Sequence, residues 1–205
     1  DEMFEIRQTS PNLPIHLSVL YNVDKFIEVY IWTVLIILDE AYFEFAEYES
    51  DYPDSMTYRY DNVITLRTFS KAYGLAGLRV GYFIGPKNIA EAVRKTAVPF
   101  GVSNIAQAAA IASLEHEAEL FERVEEVITE RRWFETELKN LGFELPPSQA
   151  NFVWIPMGER TEEFAKRSEG IAVSIRPFPG EGVRISIGER QALERVIELA
   201  KEFVF

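Results

Sequence analysis

The stretch Val34-Leu35-Ile36-Ile37-Leu38, ended abruptly by Asp39-Glu40-Ala41-Tyr42, decides the fold class. A short, branched apolar run without polar alternation reads as a strand buried on both faces, the habit of a parallel sheet. Open α/β sheets collect their ligands at the carboxyl ends of such strands. Asp39 stands at one of these ends. The ordinary role of an acid there is to cap a helix; the alternative is a carboxylate aimed at a cationic ring nitrogen.

Working outward, a second apolar run, Val63-Ile64-Thr65-Leu66, leads into Thr68-Phe69-Ser70-Lys71, followed by Ala72-Tyr73-Gly74-Leu75-Ala76-Gly77-Leu78-Arg79-Val80-Gly81-Tyr82. Both motifs therefore sit where neighbouring strands end. A lysine that attacks a carbonyl needs a neutral amine, hence burial or nearby cations that lower its pKa. The hydroxyls of Thr68 and Ser70, with Arg79 eight residues beyond the lysine, make a compact anion site in which a guanidinium grips phosphate through parallel bonds. An amine beside an anion site suits pyridoxal phosphate, whose aldehyde is held covalently and whose phosphate is held by hydrogen bonds. Taken by itself, Lys71 reads as one more solvated lysine in a polar turn. Its place after a strand, beside the Asp39 motif, reverses that reading.

The pairing of DEAYFEF (39–45) with TFSKAYGLAGLRVGY (68–82) resembles the fold-type-I pyridoxal-phosphate aminotransferases, above all the branch of histidinol-phosphate and aromatic amino acid aminotransferases. VPFGVSNIAQAAAIASL (98–114), PPSQANFVWIP (146–156) and IRPFPGEGVRISIG (175–188) resemble the same branch in the same order. The likeness runs from about Leu38 to the C-terminus, roughly four-fifths of the chain. It implies an α/β fold: part of a cofactor-binding large domain over residues 1–100, then a small C-terminal α/β domain with a long linking helix over 101–205. It implies that Lys71 bonds the cofactor and later shuttles the α-proton. Asp39 would keep the pyridine nitrogen protonated and Tyr42 would hydrogen-bond the ring oxygen. Thr68, Ser70 and Arg79 would hold the phosphate. Arg184 would clamp the substrate α-carboxylate, with Asn151 at the substrate pocket. Alone, Arg184 would read as a surface arginine at a strand edge. The expected reaction is transamination of an aromatic amino acid with 2-oxoglutarate. Histidinol phosphate is the alternative donor, with Arg176 a local cation for its phosphate. The family also implies a homodimer.

The resemblance further implies a longer protein. In the family an N-terminal third supplies a loop for the cofactor phosphate and an aromatic ring that stacks on the pyridine, neither of which is found here. A PNNPTG-like stretch ahead of the DEAY strand contributes an asparagine. The corresponding residues are Ser10-Pro11-Asn12-Leu13-Pro14-Ile15-His16, with Leu13 in place of the asparagine directly before proline. The chain is thus expected to be the C-terminal part of such an enzyme, and a truncated, non-catalytic remnant is the competing expectation.

Composition agrees with a globular enzyme. Hydrophobic residues make up 47% of the 205, enough for a core. A net charge of −12 without a basic cluster argues against nucleic acid or an anionic membrane as partner. There is no cysteine, so no disulfide framework. The acidic start, Asp1 to Glu5, has no signal-peptide core, and the longest apolar run, Val29 to Leu38, is about ten residues and too short for a bilayer. A cytoplasmic location is expected. His16 and His116 lack metal-ligand spacing to any partner, so no metal is expected.

Ser103 reads as the N-cap of a strongly helical stretch in which Leu120, Phe121, Val124, Val127, Ile128, Phe134, Leu138 and Leu141 recur at helical spacing. Gly142 fits its C-terminal stop. Glu117, Glu119, Glu122, Glu125 and Glu126 read as a solvated face. Strands are expected at Ala150–Ile155, Ile171–Ile175 and Gly182–Ile187, and a last helix at about Arg190–Phe203.

Overall fold

The structure is a computed structural model that describes residues 15–17, 34–46 and 52–204. The acidic start, the Leu13 position and most of the stretch before Val34 lie outside these residues. The chain divides into two compact units, Asp1–Leu120 and Phe121–Phe205.

The first unit is built on a four-stranded sheet. Strand β1 (Ile15–Leu17) pairs in parallel with β2 (Ile36–Asp39), β2 in parallel with β3 (Val63–Thr68), and β3 antiparallel with β4 (Gly81–Ile84). Both apolar runs are thus strands of a parallel sheet. Only one face of β2 is closed, however: Ile36 and Leu38 are buried, whereas Ile37 and Asp39 are half-buried. A four-residue helix, α1 (Phe43–Ala46), follows β2 and buries all its side chains. Beyond β4 come α2 (Lys87–Thr96) and α3 (Asn104–Glu115). Ser103 caps α3, its Oγ accepting from the amide of Ala106 at 3.1 Å.

The expected single helical stretch is two helices. His116 takes non-helical angles and its Nδ1 bonds the carbonyl oxygen of Ala112, closing α3 before α4 (Glu117–Asn140) begins. The stop at Gly142 is as the sequence reads: φ is +98°, and the amides of Gly142 and Phe143 return to the carbonyls of Lys139 and Leu138.

The second unit has a three-stranded antiparallel sheet in the order β5 (Phe152–Pro156), β7 (Gly182–Ser186), β6 (Arg176–Phe178), flanked by α5 (Thr161–Gly170) and α6 (Arg190–Lys201). Phe134, Leu138, Val153, Ile155, Phe164, Val183, Leu193 and Val196 form its core. The expected strand Ile171–Ile175 is a turn and a connector instead. Ala172 is left-handed at φ +56°, and the amide of Val173 closes back on the Ser168 carbonyl. Its alternating apolar residues pack on the core from irregular backbone, and the strand starts only at Arg176.

Candidate functional site

Two of the candidate side chains are set by the parallel register of β2 and β3. Asp39 pairs with Leu66, and partners in a parallel ladder share a face. By the two-residue period Thr68 lies on that face too, while Glu40 and Arg67 lie on the opposite one. Asp39 is half-buried, and its Oδ1 accepts the amide of Ala41 at 3.2 Å, turning the chain towards Tyr42. Thr68 ends β3, and its Oγ1 accepts the amide of Ser70 at 3.0 Å. This turn delivers Lys71, whose Nζ stands 5.2 Å from the centroid of the Tyr42 ring. The loop is held by Phe69, which is buried and packs its ring on Tyr73 (4.7 Å) and Tyr82 (5.9 Å).

Arg79 comes back to the same strand ends through β4. Thr68 pairs with Gly81, and the amide of Phe69 donates to the carbonyl of Val80. A Cβ at Gly81 would lie 2.9 Å from the Arg67 carbonyl oxygen, so glycine is required for this approach. Arg79 is left-handed at φ 55°, an uncommon conformation for a residue with a side chain, and one Nη donates to the Ala76 carbonyl at 2.7 Å. The side chain is exposed, and a guanidinium has five N–H groups, so others remain for an anion.

Arg184 belongs to the second unit. It lies on β7 between Trp154 of β5 and Arg176 of β6, its direct partners. Its guanidinium is 5.0 Å from the centroid of the Phe152 ring, and its Nε is buried without a hydrogen-bond partner among the described residues. Asn151 immediately precedes β5, and its carbonyl accepts the amide of Ile187. The structure thus gathers Asp39, Tyr42, Thr68, Ser70, Lys71 and Arg79 in the first unit, and Arg184 and Asn151 in the second.

An ion network behind the first group is absent from the sequence reading. Glu40 is buried and the Arg67 side chain nearly so, and Arg67 donates from Nε (2.9 Å) and Nη2 (2.7 Å) to Oε2 of Glu40. Nη2 also reaches Asp54 at 2.8 Å, and the guanidinium lies 3.4 Å over the Phe43 ring. The signal in sequence is an acid and a base one step past equivalent points of two paired strands. Tyr73 was missed as well. Its hydroxyl donates to Glu117 at 3.4 Å, at the exposed face where the sequence reading placed that acid. Burial, then Glu44 and Glu117, holds the Tyr73 phenol well above the usual tyrosine range.

Residues 23–199 match the family model for class I and II aminotransferases. The chain belongs to that family. Its enzymes depend on pyridoxal phosphate, and the first unit offers what that cofactor asks for: an amine, a carboxylate and a phenol at the strand ends, with hydroxyls and a guanidinium close by in the chain. Among curated relatives, the aromatic amino acid aminotransferase of Streptomyces coelicolor is 49% identical over 184 residues, covering 89% of this chain and 51% of that protein. The Mycobacterium avium protein of the same name is 45% identical over 182 residues, covering 88% and 51%. The chain spans about half the length of these relatives.

Solved aminotransferase structures show the same fold. The histidinol-phosphate aminotransferase of Clostridium acetobutylicum superposes with a TM-score of 0.77 at 25% identity, over 89% of this chain and 59% of that one. The Sinorhizobium meliloti histidinol-phosphate aminotransferase, in complex with pyridoxal 5'-phosphate, gives 0.70 at 32% identity, over 84% and 49%. Among the described residues, no helix is long and apolar enough to cross a membrane, and no cluster of His, Cys, Asp and Glu could hold a metal.

Proposed function

We propose that this aminotransferase chain takes part in amino-group transfer from an aromatic amino acid to 2-oxoglutarate, with Lys71 as the residue that bonds pyridoxal phosphate. The observation that carries the site is the Lys71 amine over the Tyr42 ring, at the strand ends that also present Asp39 and Thr68. Bound pyridoxal phosphate supplies an aldehyde that condenses with amines and a ring that draws electron density as the α-proton leaves. The chain's residues do the rest. Asp39 holds a proton on the ring nitrogen, and Tyr42 donates to the ring oxygen. Thr68, Ser70 and Arg79 hold the phosphate, and the Lys71 amine takes up and returns the α-proton. Arg184, whose buried Nε has no acceptor among the described residues, binds the substrate carboxylate, with Asn151 next to β5 on the same small sheet. The aromatic donor is supported by the names of the 49% and 45% identical relatives.

Histidinol phosphate is the second reading. It is favoured by Arg176 directly opposite Arg184, which puts two guanidiniums on one face of the small sheet. A homodimer and small-molecule donors and acceptors complete the proposal. The test is the purified chain with added pyridoxal phosphate, reduced with borohydride, mapped by peptide mass spectrometry, and assayed with phenylalanine, tyrosine, tryptophan and histidinol phosphate. Label on Lys71 and turnover of the aromatic donors are expected. Label on Lys71 without turnover of any donor would mark this chain as a non-catalytic member.

A further inference from the structure

We infer that the buried Glu40–Arg67 pair is a positioning device, clamping the ends of β2 and β3 from the face opposite Asp39 and Thr68 and so setting where the Lys71 amine stands. The inference rests on the assignment of Lys71 just made.

Its geometry is specific. The parallel register that pairs Asp39 with Leu66 puts Glu40 beside Arg67, one residue past Asp39 on β2 and one residue before Thr68 on β3. The strand backbones are already joined there, the amide of Glu40 donating to the Leu66 carbonyl at 3.0 Å. The side chains add a second tie. Arg67 grips one carboxylate oxygen through Nε and Nη2, and the other oxygen accepts the amide of Ser55 at 3.2 Å. The Glu40 side chain is 4% exposed and that of Arg67 8%, and the guanidinium is also stacked 3.4 Å over the Phe43 ring. Ser55 is itself fixed to β3, its Oγ 2.7 Å from Oγ1 of Thr65.

Stability alone is a weak reason for such a pair, because apolar residues of similar volume often serve a buried position as well or better. What a forked pair gives is a fixed distance between two strand ends. Those ends carry the turns that aim the candidate groups: the Asp39–Ala41 turn leads to Tyr42, and the Thr68–Ser70 turn leads to Lys71. Displacement by about 1 Å at this point is enough to cost a reaction on the order of a hundredfold in rate.

The experiment uses the full chain and two variants. Glu40→Leu/Arg67→Met replaces the pair by apolar bulk, so that no buried charge is stranded. Arg67→Lys keeps the charge and removes the fork. Amide hydrogen exchange is measured at Ala41, Ser70 and Leu75, and Lys71 labelling is titrated with pyridoxal phosphate and borohydride. Exchange at those three amides is expected to rise at least tenfold in the double variant, with Val63–Leu66 and α6 unchanged. The pyridoxal phosphate concentration for half-labelling is expected to rise in both variants. Exchange equal to the parent, or raised uniformly through the sheet, would overturn the inference. So would raised local exchange with labelling unchanged. If Lys71 of the parent takes no label, the cofactor assignment fails, and the exchange pattern still decides whether the pair sets the turns.

Discussion

Arg184 faces Arg176 across the β6–β7 ladder, like charge beside like charge on one face of the sheet. Direct cross-strand partners of the same sign repel. The arrangement is relieved in part by rings, since Arg176 lies 5.1 Å from the Phe178 centroid and Arg184 5.0 Å from that of Phe152. A carboxylate or phosphate between them would relieve it fully, in keeping with the substrate-binding role proposed for Arg184.

Replacing the fork therefore separates substrate from cofactor. Arg184→Lys should raise KM for every amino donor by roughly 10- to 150-fold, the value of about 1.5–3 kcal/mol for a charged hydrogen bond. The half-labelling concentration of Lys71 should not change. Arg79→Lys should do the reverse, weakening pyridoxal phosphate binding and leaving donor preference as it was. Steady-state kinetics with a cofactor titration would show if the two phenotypes are exchanged, which would mean that the two proposed roles belong to the opposite arginines.

Lys71→Ala should abolish borohydride-fixed label and all transamination. Among the described residues, the other lysines of the first unit sit in a different setting: Lys87 is 90% exposed and paired with Glu91 at 3.7 Å, and Lys95 is exposed on the same helix. Peptide mapping of the reduced protein reads the outcome directly, and label on Lys87 or Lys95 would sink the assignment.

Asp39→Asn should fold as the parent does, because the Asn side chain keeps an oxygen for the amide of Ala41. Turnover should fall by several orders of magnitude, since the neutral amide cannot hold the ring nitrogen protonated. A variant within about tenfold of the parent, a difference of only about 1.4 kcal/mol, would rule out the role.

How much of this was legible in the sequence differs from element to element. Val34–Leu38 and Val63–Leu66 read as strands because they are short, branched apolar runs, although the structure closes only one face of β2, and Ser103 and Gly142 read as helix ends because cap chemistry is local. Ile171–Ile175 misled because alternating Ile171, Val173 and Ile175 pack on the core from a turn, where the left-handed Ala172 gives no sequence signal. The break at His116 was hidden for a similar reason, since apolar residues continue on both sides of it. Lys71, Asp39 and Arg79 were legible through the motifs that hold them, DEAYFEF and TFSKAYGLAGLRVGY, rather than from any one residue alone. Glu40 and Arg67 were not, because their roles depend on the register between two strands, which only the folded sheet reveals.

The second unit should depend strongly on Phe164. Its side chain is fully buried, and its ring meets Phe203 edge-on at 5.0 Å, tying α5 to the end of the chain. Phe164→Ala should cost about 3–5 kcal/mol, the range for emptying a packed aromatic site. Urea unfolding followed by tryptophan fluorescence measures it, and a loss under about 1 kcal/mol would mean that the site collapses around the smaller residue.

Alkaline stability is the last test, and its sign follows from Tyr52. Burial pushes the Tyr52 phenol up from 10.0 to about 12, with the nearby Glu40 carboxylate adding to the rise and Arg67 opposing it. Below pH 10 the phenol is neutral in folded and unfolded chains alike, and its contribution to stability is fully present. Between pH 10 and about 12 the unfolded chain loses the proton first, so stability falls as pH rises through that window. Tyr73 and Tyr82 are raised in the same direction and add to the fall. Tyr52→Phe should therefore make the decline between pH 10 and 11.5 shallower without flattening it, and should change little at pH 8. Urea midpoints measured across that range would show it. A decline as steep as the parent's would mean that the Tyr52 hydroxyl is already solvated in the folded chain.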